Sequence, residues 1–442
     1  MRRTIILLLI ILSQKGFAQE KVWTLDDCIQ YALQHHPKSI RQEAQNRIYR
    51  QNQLEARGGW LPSLSAESSL SMNFGRGIDP ETNTYVSTNA LSNSYQIYSS
   101  MTLFDGLAQL YRVKTANIHR LMGKEELRDM QDKLSFEVME IFFNMLYYKG
   151  TVELAQQQLD ESSNNLTKFQ RMEELGMKSL PDLNEVQAKE AEDRFALTKQ
   201  TNLYSLEIIR LKAAMNLPPD EDLTVAGYDS APVIRPEIEN ALAIYRQALS
   251  ALPQVKTAGQ SLKASEMEYK IAKARLFPTL SLSAGFSTGF SRLMDDKPYV
   301  SFQEQLKMRE GSYVGLSLSV PIFSRFSRSS EVKRSQQQLI IAQSQHEEIL
   351  RQVYSDIEQT VADVNGLADE YVHARKRTVA MQSAHQTNLR KYEEGLIDAI
   401  DLSTSANRLL NARVEEIHTH LKYQLKYKLL QYYKGEQSWT SF

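Results

Sequence analysis

The stretch WLPSLSAESSLSMNF, residues 60–74, alternates between apolar and small polar side chains from Ser63 onward. Strict alternation with a period of two residues predicts a β-strand whose two faces differ in polarity. Ser68 is the one interruption of the apolar phase. That phase otherwise contains Leu64, Ala66, Leu70, Met72 and Phe74, and the polar phase contains Ser63, Ser65, Glu67, Ser69, Ser71 and Asn73.

The same pattern returns later in the chain as LFPTLSLSAGFSTGFSR, residues 276–292. At one constant shift, Pro62 pairs with Pro278 and Pro37 pairs with Pro253. Further on, MTLFDG at Met101 resembles VPIFSR, which lies in the second half of the chain. Self-similarity of this kind indicates one structural unit written twice. We therefore predict a first repeat at 19–216, a linker at 217–236, a second repeat at 237–434 and a C-terminal tail at 435–442.

Each repeat predicts the order helix, strand, strand, long helix and returning helix. A first helix of about 35 residues begins in the first repeat at a capping box formed by Thr24 and Asp27. The long helices, predicted at about Leu107–Leu175 and Ser327–Glu394, contain no proline and would reach roughly 100 Å each. Helices of that length are not typical of globular domains, and their apolar spacing predicts antiparallel coiled-coil-like packing.

The N-terminus predicts export of the chain from the cytoplasm. Two arginines precede the apolar run Ile5–Leu12, and small residues end at Ala18, which together indicate a secretory signal peptide at residues 1–18. The formal net charge of −1 argues against nucleic-acid binding, and the single Cys28 excludes an internal disulfide framework. We find no phosphate loop, nucleophile elbow or metal-ligand pattern, so we expect neither an enzyme nor a cofactor.

The second strands of the two hairpins continue the alternation. YQIYSSMTLF places Ile97, Met101 and Leu103 on one side, and YVGLSLSVPIF places Val314, Leu316 and Leu318 on one side. Strands of this length and polarity suit a membrane, with the apolar face toward lipid and the polar face toward a lumen. The residues predicted to face lipid are Leu64, Leu70, Phe74, Leu280, Phe286, Phe290, Leu316 and Leu318, and those predicted to face the lumen are Ser65, Ser69, Ser281, Ser287 and Ser317.

Four strands are too few to close a barrel, and an open edge in lipid leaves backbone groups unpaired. The chain is therefore expected to oligomerise. Two chains would give eight strands and a filled interior, whereas three would give twelve strands and a water-filled bore. The alternative is an exported coiled-coil scaffold that carries a soluble β head and forms no channel. The need for detergent during extraction distinguishes the two.

The chain resembles the TolC-like outer-membrane efflux proteins, or outer membrane factors. The resemblance rests on TLDDCIQYALQHHP from Thr24, on the junctions at Pro62 and Pro278, and on twin G-x5-D-L turns at Gly176 and Gly395. It implies a mainly α fold with a small transmembrane β part: a trimeric 12-stranded β-barrel continued by a periplasmic α-helical barrel. It also implies the outer membrane of a Gram-negative bacterium, a periplasmic adaptor, an inner-membrane pump of RND or ABC type, and passive export.

The resemblance also carries a prediction for the periplasmic entrance. Tyr392, Asp401 and Asp182 match the family's constriction positions, and three copies of an acidic ring should favour cations. The family's gate arginine is replaced by Ile397, and the second aspartate of its acidic pair is replaced by Thr404. Either Arg390 or Lys391 substitutes for the arginine, or the gate is apolar around Ile397.

Overall fold

We describe the chain from a computed structural model, which covers residues 22–78, 83–87, 89–226, 234, 237, 240–294 and 300–436. The predicted signal peptide and parts of the predicted linker and C-terminal tail lie outside these residues. The elements are β1 (Val22–Trp23), α1 (Leu25–His35), α2 (Pro37–Gly58), β2 (Ser63–Asn73), β3 (Arg76–Ile78), β4 (Tyr85–Ser87), β5 (Ala90–Phe104), α3 (Ala108–Glu174), α4 (Leu180–Met215), β6 (Thr224–Val225), α5 (Ala241–Ala251), α6 (Pro253–Ala274), β7 (Thr279–Leu293), α7 (Phe302–Met308), β8 (Gly311–Ser319), α8 (Ser327–Glu393) and α9 (Ala399–Tyr433).

The predicted first helix of each repeat is two helices, which corrects the expectation of one helix of about 35 residues. In the first half the chain breaks at His36, whose φ and ψ are −73° and 134°. In the second half it breaks at Leu252, with φ −69° and ψ 127°. Both residues precede a proline, and the proline ring pushes the residue before it out of the helical region. The predicted capping box is present, because the Asp27 N–H donates to Thr24 Oγ1 and Thr24 N–H donates to Asp27 Oδ2.

The two long helices are present and match in length. Helices α3 and α8 contain 67 residues each, and their first residues, Ala108 and Ser327, are separated by 219 positions. A glycine follows each helix, and a shorter helix returns after it. None of the described helices is both long enough and apolar enough to cross a lipid bilayer.

The four long strands form one antiparallel sheet in the order β2-β5-β7-β8. Strand β5 of the first predicted repeat pairs with β7 of the second, so the sheet interleaves the repeats. The register aligns the predicted apolar phases across the whole sheet. Ile97 lies opposite both Ala66 and Phe286, and Leu280 lies opposite Leu318.

A β-bulge corrects the predicted phase at the end of β5. The register shifts between Thr102 and Phe104, and Phe104 lies opposite Leu280. Because a bulge inserts one unpaired residue, Leu103 does not continue the side that carries Ile97 and Met101. The apolar face passes to Phe104 instead.

Two compact units make up the chain, and each contains segments of both predicted repeats. One consists of the described residues within 1–44, 125–256 and 348–442, and the other comprises 45–124 and 257–347, including the sheet. The first unit contains two apolar cores. One core is built around Ile29, Phe142 and Met215, and the other around Ile357, Tyr423 and Leu430. Cys28 is fully buried in the first core, where it packs as a small apolar residue. The boundaries of the predicted repeats stay a prediction from the sequence.

Candidate functional sites in the sheet and at the helix turns

One face of the sheet carries exposed large apolar side chains. Leu64 is 76% exposed, and Leu316 and Leu318 are 69% and 65% exposed. The other predicted lipid-facing residues Leu70, Phe74 and Phe286 are also exposed, and Leu280 is half-buried. A contiguous apolar surface on this scale is unusual on a soluble monomer and indicates contact with another apolar phase.

A short helix covers one end of this apolar face. The Phe290 ring packs edge-on against Phe302 of α7, with 5.1 Å between the ring centroids, and Phe290 is half-buried. Thr288 Oγ1 donates to the main-chain oxygen of Leu306 over 2.5 Å. The sequence analysis missed α7. Its signal was the capping box of Ser301 and Glu304, in which Glu304 N–H donates to Ser301 Oγ.

The opposite face is polar, and serines pair across it. Ser69 Oγ lies 2.7 Å from Ser94 Oγ, and Ser63 Oγ lies 3.0 Å from Ser100 Oγ. The other predicted lumen-facing residues share this face: Ser65 lies opposite Tyr98, Ser287 opposite Gln96, and Ser281 opposite Ser317.

Larger side chains interrupt the serines of the polar face. The ring of Tyr313 occupies the space beside Gly285, where an added Cβ would lie 2.5 Å from the ring. Gln96 donates to Glu67 over 2.8 Å. The polar face therefore also contains aromatic rings and a carboxylate.

Glycines end both long helices. Gly176 and Gly395 have φ values of +70° and +74°, a left-handed conformation that strains any residue with a Cβ. The residue after each glycine donates its N–H to a carbonyl five positions back: Met177 to Met172 and Leu396 to Lys391, both over 2.8 Å. This pattern of hydrogen bonds satisfies the last carbonyls of a helix and reverses the chain.

The two predicted entrance aspartates lie at equivalent positions but make different contacts. Asp182 closes a capping box with Ser179: its Oδ2 accepts from Ser179 Oγ over 2.8 Å and from Ser179 N–H over 3.2 Å. The hydrogen bond from the Ser179 side chain, followed by that from its backbone, lowers the pKa of Asp182. In the second turn the cap is Asp398, whose Oδ1 accepts from the Asp401 N–H over 2.8 Å. The exposed Asp401 contributes its main chain to that cap.

Tyr392 forms an aromatic stack near the two helix turns. Its ring lies parallel to that of Phe169, with centroids 6.1 Å apart and planes 9° apart. Lys178 Nζ lies 5.4 Å from the Phe169 centroid and so adds a cation–π contact. Burial, with a smaller contribution from the Asp182 charge, raises the pKa of Tyr392 to about 12. Its hydroxyl therefore stays protonated at neutral pH.

Most of the predicted entrance residues line one or both of two hollows. Tyr392, Ile397 and Asp401 line one hollow of about 690 Å³, together with Phe169. Thr404 lines the other, of about 440 Å³, where Glu161, Glu185 and Glu192 supply carboxylates and Lys189 supplies one ammonium group. Tyr392 lines both hollows, whereas Asp182 lines neither.

Solved structures of outer-membrane channels share this fold. CmeC of Campylobacter jejuni superposes with a TM-score of 0.80 at 12% identity, and the match covers 93% of this chain and 85% of CmeC. CusC, described as forming a transmembrane channel, gives 0.79 at 15% identity over 93% and 92% of the two chains. VceC of Vibrio cholerae gives 0.76 at 16% identity over 93% and 96%.

Sequence comparison finds a family match over part of the chain. Residues 244–435 match the family model described as outer membrane efflux protein. OpmQ of Pseudomonas aeruginosa, a pyoverdine export outer membrane protein, is 26% identical over 163 residues. That match covers 36% of this chain and 31% of OpmQ, so the chain spans about a third of the length of this curated relative. The part of the chain from 244 to 435 is thus similar to the outer membrane efflux protein family.

The residues that organise the two helix turns were not predicted from the sequence. The pattern Ser179-x-x-Asp182 is a capping-box signature and was visible in the sequence. The stack of Phe169 and Tyr392 was not visible, because the two residues are 223 positions apart in the chain. No group of three or more His, Cys, Asp or Glu side chains suitable for a metal ion occurs in the described part of the chain.

Proposed function

We propose that this chain is the outer-membrane channel of a tripartite efflux or secretion system. Three copies would close a 12-stranded barrel in the outer membrane of a Gram-negative bacterium, continued by a helical barrel in the periplasm. A periplasmic adaptor would connect the channel to an inner-membrane pump of RND or ABC type. The channel would be passive and not an enzyme, and the pump would supply the energy.

The observation that carries this proposal is the sheet, which has two faces of opposite polarity and two unpaired edges. The apolar face requires a lipid-like medium, and the serine face requires water. Strands β2 and β8 are the first and last strands of the sheet, so each has one edge without a neighbouring strand among the described residues. Since an open edge is costly in lipid, pairing between copies is the simplest way to satisfy both features.

The helix turns support an entrance that favours cations. Asp401 is exposed and shares a hollow with Tyr392 and Ile397, and three such carboxylates around a threefold axis would attract cations and repel anions. Asp182 has a capping partner and would add to the same field from a fixed position. Ile397 would contribute an apolar constriction, and Thr404 would line the neighbouring hollow.

For the class of cargo we propose small molecules, and the proposed pump class remains RND or ABC. OpmQ is named for the export of pyoverdine, which supports small-molecule export. A wide water-filled bore selects weakly, so the pump and adaptor would choose the cargo.

Extraction, mass and conductance test the proposal together. We expect the protein to need detergent for extraction, to measure as a trimer in detergent, and to conduct ions in planar bilayers. A protein that is released without detergent as a monomer and forms no conductance would instead be the exported scaffold with a soluble β head. Co-purification of the adaptor and pump from the native membrane would then identify the partners of the channel.

A further inference from the structure

The polar face of the sheet changes its chemistry at two adjacent rows of residues. The first row, read across the four strands, consists of Ser65, Tyr98, Gly285 and Tyr313. In the second row Glu67 lies opposite Gln96. The rows on either side contain serine and glycine: Ser63, Ser100, Ser283 and Gly315 on one side, and Ser69, Ser94 and Gly289 on the other. The aromatic and charged side chains in this part of the polar face are thus concentrated in one place.

The two tyrosines lie on either side of Gly285. Tyr98 of β5 and Tyr313 of β8 both pair with Gly285 of β7, so their Cα atoms are about 10 Å apart, which is two strand spacings. A Cβ added to Gly285 would lie 2.5 Å from Tyr313 Cε1 and 3.1 Å from the Tyr313 hydroxyl oxygen. The ring of Tyr313 therefore reaches over β7, toward the strand that carries Tyr98.

Both rings and the neighbouring carboxylate are open to solvent. Tyr98 is 41% exposed, Tyr313 is 56% exposed, and Glu67 is exposed as well. Glu67 accepts a hydrogen bond from Gln96, and within the described part of the chain no ion pair neutralises its charge. Glu67 is also the diagonal neighbour of Tyr98 on the adjacent strand, about 7–8 Å away. One small molecule can therefore contact a ring and this carboxylate together.

This combination of side chains favours a cation. The face of an aromatic ring is negative and attracts ammonium groups, and it also stacks with another flat ring. The carboxylate of Glu67 adds attraction for cations and repels anions. A neutral aromatic molecule would gain the stacking but not the attraction to the carboxylate. The ligand that uses every group is therefore an aromatic molecule with a positive charge.

We propose that Tyr98, Tyr313 and Glu67 form a binding site for aromatic organic cations on the polar face of the sheet. This inference rests on the proposed channel and names a class of cargo for it, because the polar face of the sheet would line the bore. Glu67 is next to Ser68, the middle residue of β2. The site therefore lies halfway along the strands, on different elements from the carboxylates of the proposed entrance.

The site should bind weakly, and weak binding suits a passive channel. Cation–π contacts at solvent-exposed rings contribute little each. Conduction requires sites that are favourable enough to be occupied and weak enough to be vacated. Filling the space over Gly285 would explain Tyr313 by packing alone, whereas binding requires Tyr98 and Glu67 as well. Variants of these last two residues therefore separate packing from binding.

Binding of ethidium, a planar aromatic cation, to the full-length protein in detergent tests the site by fluorescence anisotropy. An Asp401→Ala background removes a carboxylate of the proposed entrance. Tyr98→Leu and Tyr313→Leu should each weaken binding about two- to five-fold, whereas Tyr98→Phe, which keeps the ring, should restore it. Glu67→Gln should weaken binding and reduce its dependence on salt. The matched control is Tyr95→Leu, on the opposite face of the same strand, which should bind ethidium as before.

Unchanged ethidium binding in Tyr98→Leu and Glu67→Gln would overturn the site. Both variants leave the Tyr313 ring over Gly285, so this result decides the matter even if Tyr313→Leu does not assemble. Fluorescein, an anionic dye, should bind far more weakly, and equal binding of the two dyes would also overturn the site. Conductance in planar bilayers separates the site from the proposed function. A conducting protein that binds no ethidium retains the channel and refutes the site, whereas a protein that binds ethidium through these residues without conducting supports the site and refutes the channel.

Discussion

Replacing Leu70 by arginine should prevent assembly, whereas replacing its neighbour Ser69 by arginine should not. The two residues are adjacent in β2 and belong to opposite faces of the sheet. Leu70 is 67% exposed on the apolar face, and Ser69 pairs with Ser94 on the polar face. The two variants therefore introduce the same side chain at almost the same depth and differ in the face that receives it.

The size of the effect follows from the position of Leu70 in the strand. Ser68 is the middle of the eleven residues of β2, and we place it at the bilayer midplane. Leu70 then lies about 7 Å from Ser68 along the strand, which is about 5 Å from the midplane for a strand tilted by about 45°. An arginine on the lipid face costs about 2–4 kcal/mol at the midplane and about 0–1 kcal/mol at the interfaces. At this depth the expected cost is about 2 kcal/mol per copy, or about 6 kcal/mol for a trimer. Ser69→Arg loses one serine pair, which is worth about 1 kcal/mol or less per copy.

The assay is the yield of assembled oligomer and its unfolding by urea from lipid vesicles. We expect Leu70→Arg to give little oligomer, whereas Ser69→Arg should assemble and show altered conductance in planar bilayers. Phe286→Arg and Ser287→Arg provide the same comparison on β7. Equal loss of oligomer from both members of each pair would show that the faces are wrongly assigned.

The other predictions concern the helix turns. Asp401→Ala should lower the preference for cations, measured from reversal potentials, and unchanged selectivity would show that this carboxylate does not face the pore. Because folding lowers the pKa of Asp182 from 3.8, the carboxylate stabilises α4 fully above pH 3.8, and this stabilisation is lost as the pH falls through the lowered pKa. Hydrogen exchange of the amides in the first turn of α4 measures the loss. Ser179→Ala should cost about 1 kcal/mol at neutral pH and should abolish the pH dependence. Gly395→Ala should lower the free energy of unfolding by about 1 kcal/mol because of the φ of +74° alone, since no atom lies within 4 Å of the added Cβ. Unfolding in urea measures this change, and a much larger decrease in stability would indicate a contact made on assembly. Tyr392→Phe keeps the ring on Phe169 and should leave the closed-state conductance unchanged, so an increase would reveal a partner for the hydroxyl.

Several features of the fold could be predicted because they are local properties of the backbone. A period of two residues fixes which side chains share the face of a strand, whatever the strand pairs with, and this placed Leu64 and Leu280 in one phase and Ser65 and Ser281 in the other. The absence of proline allowed the two 67-residue helices to be predicted. The break at His36 is equally local, since a proline follows it, although the sequence pattern predicts one helix where the structure has two.

Other features depend on contacts between segments far apart in the sequence, so they could not be predicted from local patterns. The bulge that moves the apolar face from Leu103 to Phe104 is a property of the pairing of β5 with β7. The covering of Phe290 depends on where α7 packs, and the difference between Asp182 and Asp401 depends on which side chain caps each helix. The alternating polarity of the strands and the position of the helix turns could be predicted, because each depends on neighbouring residues. The order of the strands places β5 of one predicted repeat beside β7 of the other and leaves β2 and β8 at the edges of the described sheet. This order came from the folded structure, because pairing between distant strands depends on register and packing across the whole sheet.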